Sequence, residues 1–362
     1  MIIISDIRDV ARMANVSIGT VSNAFKRPEK VAPDTCTRIL DIARELNYFP
    51  NQLASALVTS QTYLLGLMVS YSNAGHRGLA VNEFVRIAAK HGYMVIMAST
   101  DVNVDEETDG VVRFIRYRVD GVVVFSDFIE GRTEHIKILE ENEIPCVAVK
   151  RFNEDYENIS VSADHALKDI ADQLKRYQHR HIGAVTSNLM MNDGTPNIRT
   201  QRLDTFRKKL KEIDLELKEK DILVVGNYTM ETGEKVVDEW LALGQQLPTA
   251  IFCMNDYLAI GMIARFQKRG YRVPEDISIV GYGNYDAGLC CNPKLASVDI
   301  RETDIIKMAF DMIVERIKDP SHPMKNIEVE HKFILRSSLG ISPNYNVALS
   351  DEFSSKVLNR DL

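Results

Sequence analysis

From Tyr63 onward the chain alternates short, almost unbroken apolar runs with longer amphipathic ones, and this rhythm restricts the fold more than any other feature. The runs are YLLGLMVS, YMVIMAS, GVVVF and PCVAV, followed by HIGAVTS, DILVVG, TAIFCM and DISIVG. None is long enough for a core helix, and none keeps a polar face. Strands of that kind are buried on both sides, as in parallel sheets covered by helices. Helical spacing fills the intervals near 79–91, 105–117, 133–141, 163–175, 199–213, 230–241 and 257–269. The expected fold class is therefore α/β, with two doubly wound parallel-sheet subdomains. A ligand is expected in the crevice at the carboxyl ends of their strands.

Composition narrows the setting. At 362 residues, 45% hydrophobic and 26% charged, the chain is a globular one too long for a single core. Its five cysteines, Cys36, Cys146, Cys253, Cys290 and Cys291, show neither disulfide-framework nor zinc-site spacing, so a reducing cytoplasm is expected. The opening MIII meets Asp6 and Arg8 too early for an export signal, and no stretch has the length of a membrane span.

The first 50 residues break the rhythm. Asp6 caps a helix over 7–14, with Asp9 in its first turn, and Ile7, Val10, Ala11 and Ala14 share one face. Asn15 suits the left-handed backbone of a tight turn. Ser17 caps a second helix over 18–25 whose Val21 and Phe25 point inward, leaving Ile18, Gly19, Ser22 and Asn23 outward. Pro33 and Asp34 open a third helix, with Ile39, Leu40, Ile42, Ala43 and Leu46 as its stripe and Asn47 as its stop. Three short helices in this order read as a helix-turn-helix head. In such a head the start of the second helix meets base edges in the major groove; Asn23 suits adenine and Ile18 a thymine methyl. Residues 1–60 hold seven Lys and Arg against six Asp and Glu, so the negative excess of the chain lies elsewhere. Lys26, Arg27, Lys30 and Arg38 are the candidate phosphate partners.

The runs DVARMANVSIGTVSNAF and VAPDTCTRILDIARELNYFPNQLASAL resemble the head and hinge of the lactose-repressor (LacI/GalR) family of bacterial transcription regulators. That resemblance implies a DNA-binding set of Ser17, Ile18, Gly19, Thr20, Ser22, Asn23, Lys26, Asn51 and Leu57. It also implies a hinge over 51–62 that becomes helical on operator DNA, where Leu57 wedges between base steps. Ser55 stands where the family usually has an arginine. The core, 63–340, is expected to be like that of periplasmic sugar-binding proteins. One subdomain would take about 63–162 and 293–324, the other about 163–292 and 325–340, with a loosely ordered tail over 341–362.

The same resemblance names Tyr71, Asn73, Arg202, Tyr228, Asn255 and Asn284 as effector-binding candidates. Two departures matter. Ser72-Asn73-Ala74-Gly75-His76 lacks the family's aromatic pair, and Gly281-Tyr282-Gly283-Asn284 lacks the carboxylate that accepts sugar hydroxyls. The expected effector is therefore non-standard, anionic through Arg202, or replaced by a partner protein. The expected function is a sequence-specific repressor, not an enzyme, that binds a palindromic operator as a dimer or as a tetramer built from it. The alternative is a solute-binding protein of the same core without a DNA role. No metal or cofactor is expected. His179 and His181 lack a third ligand, and the third glycine after Gly281 and Gly283 falls at Gly288, off the dinucleotide spacing.

Overall fold

Asp6 closes the first turn of α1 (Ile7–Ala14) from both directions. Its carboxylate accepts from the amides of Arg8 and Asp9, while its own amide donates to the Asp9 carboxylate at 3.1 Å. The helix ends at Asn15 in the left-handed conformation (φ 51°). Two residues on, Ser17 Oγ accepts from Thr20 N at 3.1 Å and starts α2 (Ile18–Lys26). Pro33 opens α3 (Pro33–Glu45), and Asn47 turns the chain at φ 49°. Val10, Ala14, Val21, Ala24, Ile39 and Ala43 close a core of mostly small side chains. Phe25 meets Tyr48 edge-on at 5.9 Å, bracing the end of α2 against the segment after α3.

The computed structural model describes residues 6–50, 61–70, 77–100, 104–125, 134–150, 156–187, 198–244 and 246–345. The chain divides into two units, Met1–Thr62 and Tyr63–Leu362.

In the second unit, β1 (Leu64–Ser70), α4 (Arg77–Lys90), β2 (Met94–Thr100), α5 (Val104–Arg116), β3 (Gly121–Phe125), α6 (Glu134–Glu141), β4 (Cys146–Val149) and β5 (Asn158–Ser162) build the first lobe. The second lobe holds α7 (Asp164–Arg176), β6 (Ile182–Ser187), α8 (Ile198–Lys211), β7 (Leu217–Val225), α9 (Met230–Ala242), β8 (Ala250–Cys253), α10 (Asp256–Lys268), β9 (Ser278–Gly283), α11 (Asp286–Leu289) and β10 (Ala296–Asp299). The chain then returns through α12 (Glu302–Lys318) and β11 (Asn326–Glu330) to the first lobe, and crosses again into β12 (Lys332–Ile334).

The strand orders are β11-β5-β4-β3-β1-β2 and β12-β10-β9-β8-β6-β7. Every pairing is parallel except that of β12 with β10. Strand alternation explains the apolar runs. Val123 and Phe125 face a layer with Phe84, Phe310 and Ile313, while Val122 and Val124 face Val111, Phe114 and Leu139. The second sheet does the same, with Phe252 and Tyr282 toward Phe206 and Leu174, and Ile251 and Ile279 toward Trp240 and Phe266.

The fold departs from the sequence expectation at three places. The second exchange between lobes comes after β10, not at 293, because β10 extends the second sheet beside β9. The third comes after β11, not at 325, because β11 pairs with β5. The tail does not loosen at 341, since Ser342 is buried and its amide donates to Tyr177 O at 2.8 Å. Residues beyond 345 lie outside the described residues.

Candidate nucleic-acid interface and effector cleft

The start of α2 is built to be approached. Ile18 is 48% exposed although the head core is complete without it. Gly19 beside it is exposed, and the first turn carries no acidic residue to oppose an anion at the positive helix end. Ser22 and Asn23 are half-buried one turn further on, and Thr20 is engaged with Ser17 through their hydroxyls at 2.8 Å. Lys26 is exposed at the other end of the helix.

The head cations divide in two. Arg12 is paired with Asp9 at 2.8 Å and Arg44 with Asp41 at 2.7 Å. Lys26, Arg27, Lys30 and Arg38 are exposed, and among the described residues none of them is held in an ion pair. Asn51 and Leu57 lie outside the described residues, as do Tyr71 and Asn73 of the effector set.

The remaining effector candidates sit around the carboxyl ends of the second sheet, in different roles. Arg202, on α8, lies over the Tyr282 ring with its Cζ 3.7 Å from the centroid. Its Nε is buried and has no hydrogen-bond partner among the described residues. The Tyr228 hydroxyl accepts from Ser187 N at 3.1 Å at the last residue of β6, and Arg199 lies 5.4 Å above its ring. Asn255 follows β8 and caps α10, its Oδ1 accepting from Tyr257 N at 2.8 Å. Asn284 turns the chain at φ 54° after β9, and its Oδ1 accepts from Arg336 at 2.6 Å. Asn255 and Asn284 thus hold the cleft wall together through their own side chains.

Sequence reasoning missed the residues that organise this wall. Asp256 is fully buried; its carboxylate accepts from Ser297 Oγ at 2.6 Å and Tyr285 N at 2.7 Å, tying α10 to β10 and to the turn after β9. Burial raises its pKa to about 6, against the lowering effect of those hydrogen bonds. His331, at the third crossing, is 5% exposed and shares a 2.6 Å hydrogen bond with the Tyr282 hydroxyl. Its amide donates to Ser162 O at the first crossing. Burial, and then the charges of Arg202, Lys150 and Arg301, lower its pKa to about 3. The first lobe contributes Lys150, 5.0 Å above the Phe125 ring and paired with Glu302 at 2.7 Å. The only advance signal for Asp256 was its place beside Asn255.

His179 and His181 are structural. His179 is buried between Thr249 Oγ1 and Gly340 O, each at 2.9 Å, and His181 faces Asp221 at 3.0 Å. No cluster able to hold a metal occurs among the described residues.

Comparison with known proteins agrees with this division. Residues 6–51 match the model of bacterial regulatory proteins of the lacI family, and 171–339 that of the periplasmic binding protein-like domain. An HTH-type transcriptional repressor PurR from Vibrio vulnificus is 28% identical over 345 residues, which cover 92% of this chain and 98% of the relative. The repressor of that name from Pasteurella multocida is 29% identical over 336 residues, with the same coverage of 92% and 98%. Among solved structures, the lac repressor dimer bound to operator and the anti-inducer ONPF superposes with a TM-score of 0.80 at 21% identity, covering 93% of this chain and 99% of that one.

Proposed function

The chain belongs to the lacI family of bacterial regulatory proteins and is a DNA-binding transcriptional repressor with a ligand-binding core; from that premise we propose how it reads DNA and what switches it. It acts as a homodimer in the cytoplasm, on an operator of two-fold symmetry, as a binding protein without catalytic activity. Ile18, Gly19 and Asn23 meet base edges, with Ser17, Thr20 and Ser22 beside them. Lys26, Arg27, Lys30 and Arg38 meet phosphates, and Asn51 and Leu57 of the hinge complete the contact in the minor groove.

One observation carries the reading most directly: an apolar side chain and a glycine face outward at the acid-free start of α2, in a head whose core closes without them. Dimerisation has support in the first lobe. Edge strand β2 exposes Met94 and Met97, and α4, packed on it, exposes Leu79 and Val85. The core is suited to a two-state switch because three crossings join its lobes and each lobe supplies cationic and aromatic groups near the strand ends. A small molecule that favours one lobe arrangement shifts the population of the dimer, and with it operator affinity.

Selection of genomic fragments by the purified full chain, with and without cell metabolites, tests the proposal. The expected product is a small set of fragments sharing an inverted repeat, with occupancy altered by the metabolites. Recovery of random fragments under both conditions would contradict it.

A further inference from the structure

The last crossing between the lobes borders a cavity of about 660 Å³, within the range of about 300–1,000 Å³ usual for small-molecule sites. Both lobes line it. The first supplies Met308 of α12 with Ile327 and Glu328 of β11; the second supplies His165 and Asp169 of α7 with Phe333 of β12. His331 lies at the junction. None of Arg202, Tyr228, Asn255 or Asn284 lines this cavity, so it is separate from the effector wall.

Its chemistry is divided. Met308, Ile327 and Phe333 are half-buried and form an apolar surface. Two charged pairs around it are closed, since His165 Nδ1 meets Glu330 at 2.6 Å and Arg301 meets Asp304 at 3.1 Å. Asp169, Glu328 and Lys332 are exposed, and among the described residues none of them is held in an ion pair. Uncommitted charges of both signs beside an apolar surface suit a molecule that itself carries both signs. A simple cation would leave Lys332 unanswered, and a simple anion would face two carboxylates. A buried group adds to this. His331 is 5% exposed, yet its Nε2 has no hydrogen-bond partner among the described residues. Its Nδ1 is engaged with the Tyr282 hydroxyl, which leaves Nε2 for a ligand. That nitrogen donates to a carboxylate in one tautomer and accepts from an ammonium in the other.

Position gives occupancy a consequence. A molecule that bridges Glu328 and Asp169 joins β11 to α7 across the crossing, beside the exposed His165–Glu330 pair that already does so. His331 connects the cavity to the cleft wall, because the Tyr282 ring that shares its hydrogen bond also carries Arg202. Lobe arrangements that differ at this crossing differ in affinity for such a bridge, and that difference shifts their populations.

We propose that this cavity is a second regulatory site that takes an α-amino acid with an apolar side chain. Asp169 and Glu328 hold its ammonium group, Lys332 holds its carboxylate, and Met308, Ile327 and Phe333 receive its side chain. The effect on operator affinity rests on the reading of the chain as a repressor; the binding itself does not.

The test is calorimetry on the full chain with L-leucine, L-methionine and L-phenylalanine, each beside its decarboxylated amine and its deaminated acid. At least one amino acid should bind, with its amine and its acid each weaker by roughly tenfold or more. Glu328→Lys and Lys332→Met change exposed side chains, so both variants should keep the parent thermal midpoint while losing roughly tenfold in affinity. Met308→Trp, which fills the cavity, should abolish binding. Binding of none of the three, an amine or acid that binds as tightly as its amino acid, or unchanged binding by Glu328→Lys and Lys332→Met would overturn the proposal. Operator affinity of the same preparation should change about fivefold or more when the amino acid is added. An unchanged affinity would overturn the regulatory role, whereas no operator binding under either condition would sink the reading of the chain as a repressor and leave the site standing.

Discussion

In the head, the informative side chains are those the fold does not use. Ile18, Lys26, Arg27, Lys30 and Arg38 all stay outside the core, and removing any of them would leave that core closed. In the second lobe the informative side chains are held in the fold itself: Arg202 on Tyr282, Tyr282 on His331, Asp256 under Tyr285. A surface reader needs only a small scaffold with the right groups facing out. A ligand cleft needs buried polar groups whose positions depend on partners far away in the chain. Recognition and stability are thus separable in the head and coupled in the cleft.

Removing residues 1–62 gives the largest expected effect, because the two units are separate in their internal contacts. Specific DNA binding should vanish at every ionic strength while the core keeps a cooperative thermal transition. A truncated core that still prefers particular duplexes would erase the contrast.

The coupling in the cleft predicts a pH dependence. The folded pKa of His331 is lowered from 6.5 to about 3, so between those values the unfolded chain binds the extra proton. The associated stability is fully present above pH 6.5 and is lost as pH falls toward 3, on the order of 5 kcal/mol at the limit. Asp256 runs the other way. Its pKa is raised from 3.8 to about 6, so its contribution is fully present below pH 3.8 and is lost as pH rises through 6. Urea unfolding of the core across pH 3–7 should show opposite changes of slope in His331→Phe and Asp256→Asn. Identical slopes in both variants and the parent would mean that neither group is coupled to the fold in this way.

Within the head, Ile39→Ala removes a fully buried side chain and should cost about 2–5 kcal/mol. Hydrogen exchange should show the loss confined to residues 6–50, with core protection unchanged. A matching loss of protection throughout the core would mean that the units do not unfold separately. The smallest effect belongs to the surface. Lys26→Ala should leave the thermal midpoint unchanged and reduce the slope of log affinity against log salt by about 1 per half-site. An unaltered slope would remove Lys26 from the phosphate set.

What could be read from the sequence divides along the same line. Asp6, Asn15, Ser17 and Asn47 act within a few residues of themselves, and each appears in the role its chemistry suggested. Six of the eight apolar runs were legible because burial on both faces leaves no polar position, whereas β2 and β7, at the sheet edges, keep exposed residues and were legible from their apolar composition. Strands β5, β10, β11 and β12 were not, since NISVS, ASVD, NIEVE and KFI are short and partly polar, and β11 and β12 lie at sheet edges. Missing them displaced the second and third exchanges between lobes. In the cleft, Asn255 and Asn284 were legible as polar residues at strand ends, but not as tethers, because Tyr285, which accepts from the Asn255 amide, and Arg336, which donates to Asn284, lie 30 and 52 residues away. Long-range partners of that kind leave no local pattern.

The most direct test of the central claim, that α2 reads base edges, compares the duplexes selected by the full chain and by its Asn23→Ala variant from a random library. Both should recover an inverted repeat of the same half-site spacing, with the variant losing discrimination at one symmetry-related base pair per half-site. Indistinguishable selected sets, or no enrichment by either protein, would contradict the account.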